Sequence, residues 1–140
     1  MSQTPAQLAL VFPGQGSQSV GMLAELSELH PSVKATFEEA SDGAGVDLWA
    51  LSQAGPEEML NRTEYTQPAL LAASIGVWRA WNAVGGPRPS VLAGHSLGEY
   101  TALVAAGALS GRRPGARLAV GGRMRLPVLS KRRLARSGLK

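Results

Sequence analysis

The sequence predicts an α/β fold in which helices flank a parallel sheet, and three observations carry that prediction. Two short apolar runs, LALVF at 8–12 and SVLAG at 90–94, each lead into a glycine-containing turn and read as buried strands. Each turn opens into a segment whose apolar residues recur at helical spacing. Between the two lies the strongest helical pattern of the chain, QPALLAASIGVWRAWNAVGG at 67–86. Strands separated by helices pair in parallel through crossovers, and such sheets bind ligands at the carboxyl ends of their strands.

The elements follow in order. After the first run, PGQGSQ at 13–18 is a turn, and SVGMLAELSELH at 19–30 places Met22, Leu23, Leu26 and Leu29 on one helical face that Pro31 ends. In PSVKATFEEASDG at 31–43 a proline occupies the first turn, Val33 and Phe37 stand four apart, and Gly43 is the expected stop. PEEMLNR at 56–62 opens with Pro56 and two glutamates, which suit a helix N-terminus. Both helices are expected at the surface. In the long helix Leu70, Leu71, Ile75, Trp78, Trp81 and Val84 form a broad apolar stripe closed by Gly85 and Gly86, so its tryptophans are expected in the core. LGEYTALVAAGAL at 97–109 continues from the second strand as an alanine-rich helix.

A chain of 140 residues corresponds to about one domain. No apolar run approaches the ~18 residues that span a bilayer, and no basic segment precedes the first apolar stretch, so neither a membrane span nor a secretory signal is expected and the cytoplasm is the expected compartment. Without a signal, the NRT triplet at 61–63 reads as chance and not as a glycosylation acceptor. The absence of cysteine excludes disulfides and a thiolate nucleophile, and with two histidines no protein-built metal site is expected. Charge is divided unevenly. Residues 1–110 hold all ten acidic residues against four Lys and Arg, a net −6, whereas residues 111–140 hold ten Lys and Arg and no acid, a net +10. Such a segment attracts nucleic acid or acidic membrane only through non-specific charge; it lacks the aromatic residues that stack on bases, so neither partner is expected.

Both glycine loops fall where a parallel sheet places chemistry. GHSLG at 94–98 matches the G-x-S-x-G elbow, in which a sharp strand-to-helix turn exposes the serine and small flanking residues let strand and helix approach. Ser96 would then sit at a helix N-terminus, where the Leu97 N–H and the helix dipole stabilise an oxyanion. A second donor has to come from another loop, and PGQGSQ is the natural supplier. GQGSQS is not a dinucleotide fingerprint, because Ser19 stands where the third glycine belongs, and it lacks the GK[ST] ending of a phosphate loop. His95 precedes Ser96 directly, so on a sharp turn their side chains diverge; it is expected to shape the site and not to act as base. His30, beside Pro31, is expected at the surface, and Glu99 is expected to favour the helix start.

Three motifs in register, LVFPGQGSQSVGM, YTQPALLAAS and AGHSLGEYTALVAAGAL, resemble the malonyl-CoA:acyl-carrier-protein transacylases of bacterial fatty acid synthesis, relatives of the acyltransferase domains of polyketide and fatty acid synthases. The resemblance implies an α/β-hydrolase-like parallel sheet flanked by helices, here truncated before the family's ferredoxin-like subdomain and its C-terminal part. It divides the chain into 1–110, the N-terminal part of the acyltransferase domain, and 111–140, a basic segment unlike the family. Carried over by position, Ser96 is the nucleophile, the backbone N–H groups of Gln15 and Leu97 form the oxyanion hole, and Gln67 and His95 line the substrate pocket. The implied substrates are malonyl-CoA and acyl carrier protein, with no metal or cofactor. Two departures accompany the likeness. The family's general base is a histidine far downstream, and no such residue follows Ser96 here. Its carboxylate-binding arginine, in an RLVxxRG-like helix, falls near Gly121, with Arg117 and Arg123 on either side. A catalytically inactive family member and a serine esterase using the same elbow are the alternative readings.

Overall fold

The computed structural model describes residues 7–107 and, as backbone, 117–119. The element order is β1 (Ala9–Phe12), α1 (Ala24–Leu29), α2 (Pro31–Ala44), α3 (Leu48–Ala54), α4 (Glu57–Leu60), α5 (Thr63–Ala83), β2 (Val91–Gly94), α6 (Leu97–Ala105) and β3 (Arg117–Ala119). The strands form one parallel sheet in the order β1-β2-β3. Ala9 stands opposite Val91 and Phe12 opposite Gly94, while Ala93 stands opposite Ala119. Because the register brings Phe12 level with Gly94, both glycine loops leave the sheet at the same carboxyl edge. The predicted α/β class is the observed one.

Two apolar cores share α5. Val33, Phe37, Leu48, Leu51 and Leu60 close on Ala69, Ala72 and Ala73. On the sheet side, Phe12 and Leu92 pack with Leu71, Ile75 and Ala102. A helix apolar on most of its circumference belongs in the middle of a fold, and α5 is buried continuously from Pro68 to Gly76. Small residues let its neighbours approach: a Cβ on Gly76 would stand 3.3 Å from the Val33 Cα. The polar tie between α2 and α5 is a fork, with Arg79 donating to both Glu39 oxygens at 2.9 and 3.1 Å and to Thr36 Oγ1 at 2.8 Å.

Several expectations change. The first strand is not buried: only Phe12 is, and Val11 is 73% exposed. β1 is one edge of the sheet among the described residues, and Phe12 is its one buried residue in the sheet-side core. In β2 only Leu92 is buried. Leu29 is 77% exposed because α1 is a six-residue helix whose inner face ends at Leu26. Val84 is exposed as well, since it follows the last residue of α5 and leaves the stripe. Trp78 is half-buried at the margin of the sheet-side core, and Trp81 is half-buried outside it, with its Nε1 donating to the Pro87 carbonyl at 3.1 Å. Gly43 lies inside α2, and the stop is Gly45, whose φ of 70° gives the left-handed cap that glycine accepts without strain. His30 is half-buried between α1 and α2. The long helix starts at Thr63, four residues before the predicted Gln67, so Pro68 lies inside it and the Glu64 carbonyl loses its helical donor. α3 is a helix the sequence pattern does not announce, and its start is marked by Asp47 accepting the Ala50 N–H at 2.9 Å. The last two residues of the predicted 97–109 helix, and the segment 111–140 apart from β3, lie outside the described residues.

Phe37 is completely buried and meets Trp49 edge-on, with ring centroids 5.1 Å apart. Phe37→Ala is expected to cost about 3–5 kcal/mol. In urea unfolding this appears as a lower midpoint at unchanged slope, and a loss below about 1 kcal/mol would show that the helical core is not closed around this ring.

Candidate active site

The site begins with a backbone constraint. Gly94 ends β2, and a Cβ there would overlap the Gly98 carbonyl and stand 2.5 Å from the Glu99 nitrogen. A Cβ on Gly98 would overlap the Phe12 carbonyl oxygen and stand 2.7 Å from its carbon. Both flanking glycines of GHSLG are therefore required by close packing, one against the start of α6 and the other against the end of β1. Between them Ser96 adopts φ 55°, ψ −118°, a region that favours glycine. Its side chain makes no capping bond to the helix it precedes, and the residue is exposed. The turn is held by backbone: the Gly98 N–H donates to the His95 carbonyl at 3.0 Å and the Glu99 N–H to the Ser96 carbonyl at 3.1 Å. The Leu97 N–H has no acceptor among the described residues. It lies at the N-terminus of a nine-residue helix, where the dipole favours negative charge.

The PGQGSQ loop comes to the elbow. A Cβ on Gly14 would meet the His95 carbonyl oxygen at 3.0 Å and the Ser96 Cβ at 3.6 Å, so the loop faces the serine with room for little more than a hydrogen. The next peptide belongs to Gln15, whose N–H has no acceptor among the described residues. The following N–H, that of Gly16, is committed to Gln18 Oε1 at 2.8 Å. Ser96, Leu97 and Gln15 are thus brought to one place. Gln67 lies half-buried on α5, one turn after Thr63, and Thr63 Oγ1 accepts from the Gln15 side chain at 3.1 Å. His95 is exposed, and its carbonyl, not its ring, is engaged at the turn.

Three features of the site have no local signal in the sequence. Asn61, Thr63 and Gln18 hold the loop to the start of α5, through side-chain contacts between residues more than forty apart. Glu99 does fall in the first turn of α6, but it is buried, and its Oε2 has no hydrogen-bond partner among the described residues. A cavity of about 300 Å³ opens between β1 and α5, lined by Leu10, Pro13, Ser17, Leu23, Val77 and Trp78, and its rim reaches the same loop. No group of acidic or histidine side chains among the described residues is arranged to hold a metal ion.

Fold and site together define an α/β protein that presents a serine on a strand-to-helix elbow, faced by a second glycine loop. Residues 9–137 match the acyl transferase domain family, and the chain belongs to it. The malonyl CoA-acyl carrier protein transacylase of Salmonella typhimurium is 62% identical over 104 residues, covering 74% of this chain and 34% of that protein. Among solved structures, the malonyl-CoA:acyl carrier protein transacylase of Xanthomonas oryzae pv. oryzae is 78% identical, with a TM-score of 0.71 over 75% of this chain and 33% of that one. A malonyl-transacylase in complex with its type II PKS acyl-carrier protein is 64% identical, with a TM-score of 0.71 over 73% of this chain and 33% of that one. The chain therefore spans about a third of the length of the relatives it matches.

The strained torsions of Ser96 have a measurable consequence. Ser96→Gly removes the Cβ that makes φ 55° unfavourable, whereas Ser96→Ala removes only the hydroxyl. The glycine variant is expected to be about 1 kcal/mol more stable than the alanine variant in urea unfolding. Equal stabilities would mean that the elbow relaxes in solution.

Proposed function

We propose that this chain carries the serine half of a malonyl transfer from malonyl-CoA to the phosphopantetheine thiol of acyl carrier protein, the step that supplies malonyl units to fatty acid synthesis. The carrying observation is the convergence of the exposed, strained Ser96 with two backbone N–H groups that lack acceptors among the described residues, those of Gln15 and Leu97. The transacylases of Salmonella typhimurium and Xanthomonas oryzae pv. oryzae match this part of the chain at 62% and 78% identity, which supports the reading.

In the proposed reaction Ser96 Oγ attacks the thioester carbonyl carbon and gives up its proton, and the carbonyl oxygen becomes an oxyanion held by the N–H groups of Gln15 and Leu97. The C–S bond then breaks, and coenzyme A leaves as its thiol with that proton, so the malonyl group rests on Ser96 as an ester. Attack by the phosphopantetheine thiol of the carrier protein reverses the sequence, and the serine regains a proton. Gln67 and His95 line the acyl pocket. The proton carrier is the weak point. The chain contains only His30 and His95: one lies between α1 and α2, and the other directly precedes Ser96. A chain that binds but does not turn over is accordingly the second reading. We place the reaction in the cytoplasm, in keeping with described helices none of which is long and apolar enough to cross a membrane.

We also propose that the compositional break at residue 111 divides the N-terminal part of the acyltransferase domain, 1–110, from a basic segment of other character. The charge division supports it, and the family match that runs to residue 137 sets the opposing expectation. Reading the coding DNA decides between them: a second frame that restores an RLVxxRG-like segment and a later histidine is expected, and its absence refutes the division.

Incubation with malonyl-CoA followed by intact-mass analysis tests the main proposal. A malonyl adduct on the chain, absent from Ser96→Ala, is the expected outcome. An unmodified and folded chain would favour the second reading.

A further inference from the structure

The glycine loop is fastened from outside by a side chain that the reaction scheme does not use. Gln18 spends both ends of its amide: Oε1 accepts the Gly16 N–H at 2.8 Å, and Nε2 donates to Asn61 Oδ1 at 2.8 Å. Asn61 is the residue that caps α4, immediately before the turn into α5. Two further bonds complete the fastening. Ser17 Oγ donates to the Gly14 carbonyl at 3.1 Å, and Gln15 Nε2 donates to Thr63 Oγ1. Gly16 has φ 109° and nothing near its Cβ position, so the loop backbone at this point is restrained by hydrogen bonds and not by packing.

These bonds sort the loop's donors. The Gly16 N–H is consumed by Gln18, while the Gln15 N–H, one peptide earlier and next to the glycine that faces Ser96, has no acceptor among the described residues. An amide restrained only by its own flexible glycine neighbours would spread over many orientations, and a misdirected donor is worth little to a developing oxyanion. We infer that Gln18, anchored on Asn61, is a positioning residue that holds the Gly14–Gly16 backbone so that the Gln15 N–H faces Ser96. It touches neither substrate nor serine, and its effect passes through the Gly16 amide. The inference rests on the reading of Ser96 as nucleophile.

The test uses the full chain with Gln18→Ala, Gln18→Glu and Asn61→Ala, and two readouts: amide exchange at Gly16 by NMR, and the rate at which a fluorophosphonate labels Ser96. Gln18→Ala is expected to speed Gly16 exchange and slow labelling by about tenfold, the worth of a hydrogen bond or two. Gln18→Glu keeps an acceptor for the Gly16 N–H but loses the donor to Asn61 Oδ1, and is expected to recover both readouts in part. Asn61→Ala lies at an exposed position and loosens only the outer bond, so it is expected to fall between the two and stands in if Gln18→Ala does not fold. Unchanged Gly16 exchange in Gln18→Ala overturns the inference. So does faster exchange with labelling at the unmodified rate, which is what a purely structural role would produce. Absence of labelling in the unmodified chain overturns the reading of Ser96 itself, and with it the role given to Gln18.

Discussion

The backbone interlock at the carboxyl edge of the sheet is the constraint on which the rest of the site depends. Gly98, in the first turn of α6, lies so close to the Phe12 carbonyl that no side chain fits, and Gly94 is equally close to the Gly98 carbonyl. The end of β1, the end of β2 and the start of α6 are therefore fixed relative to one another at the distance of main-chain contact. Side-chain packing alone does not set positions so narrowly, because side chains yield by changing rotamer. Ser96 inherits its torsions from this interlock: the chain must turn between two glycines that cannot move apart. The cost of holding a non-glycine residue there, about 1–3 kcal/mol, is carried by the surrounding core.

That core explains why a long, nearly apolar helix was needed. α5 touches both clusters, and the fork from Arg79 to Glu39 together with the Gly76–Val33 approach fixes α2 against it. The same helix begins at Thr63, which receives the side chain of Gln15. One element thus ties the helical layer to the sheet and offers its start as a dock for the loop opposite Ser96. The early start has a local cause. Thr66 donates to the carbonyls of Leu60 and Arg62, which holds the α4–α5 turn and carries the helix through Pro68.

Legibility in the sequence followed the range of the interactions. The α/β class, the strands β1 and β2, α6 and the strand-to-helix turn at Ser96 were readable, because short apolar runs, helical spacing and G-x-S-x-G are local signals. The stop of α2 was missed by two residues because Gly43 and Gly45 are equally good glycines on paper, and only the left-handed torsion at Gly45 distinguishes them. The start of α5 was missed because Pro68 looks like a boundary. Val11 was assigned to a buried strand, since an apolar run carries no record of which strand becomes the sheet edge. The loop fastening by Gln18, Asn61 and Thr63 has no signal in one sequence at all: each is an ordinary polar residue until the fold sets them 2.8–3.1 Å from their partners. The burial of Glu99 belongs to the same category, because a glutamate in a first helical turn is equally at home in solvent.

What the arrangement contributes can be weighed against what it lacks. A helix N-terminus stabilises a nearby negative charge by about 0.3–1 kcal/mol, reaching about 2 kcal/mol in partly buried geometries. One oxyanion donor contributes about 2.7–4 kcal/mol to the transition state. Loss of the base from a serine–histidine pair costs about six orders of magnitude in rate, roughly 8 kcal/mol. The dipole of α6 is therefore too weak to stand in for a base. In the proposed scheme the two N–H groups act on a different charge, the oxyanion on the substrate, and leave the serine proton where it was. Substrate polarisation and serine deprotonation are separable demands, and in the described part of the chain the geometry addresses only the first. In the proposed scheme the rate of acylation at Ser96 therefore responds to each demand separately, to the aim of the N–H groups through the oxyanion and to the proton acceptor through the serine hydroxyl.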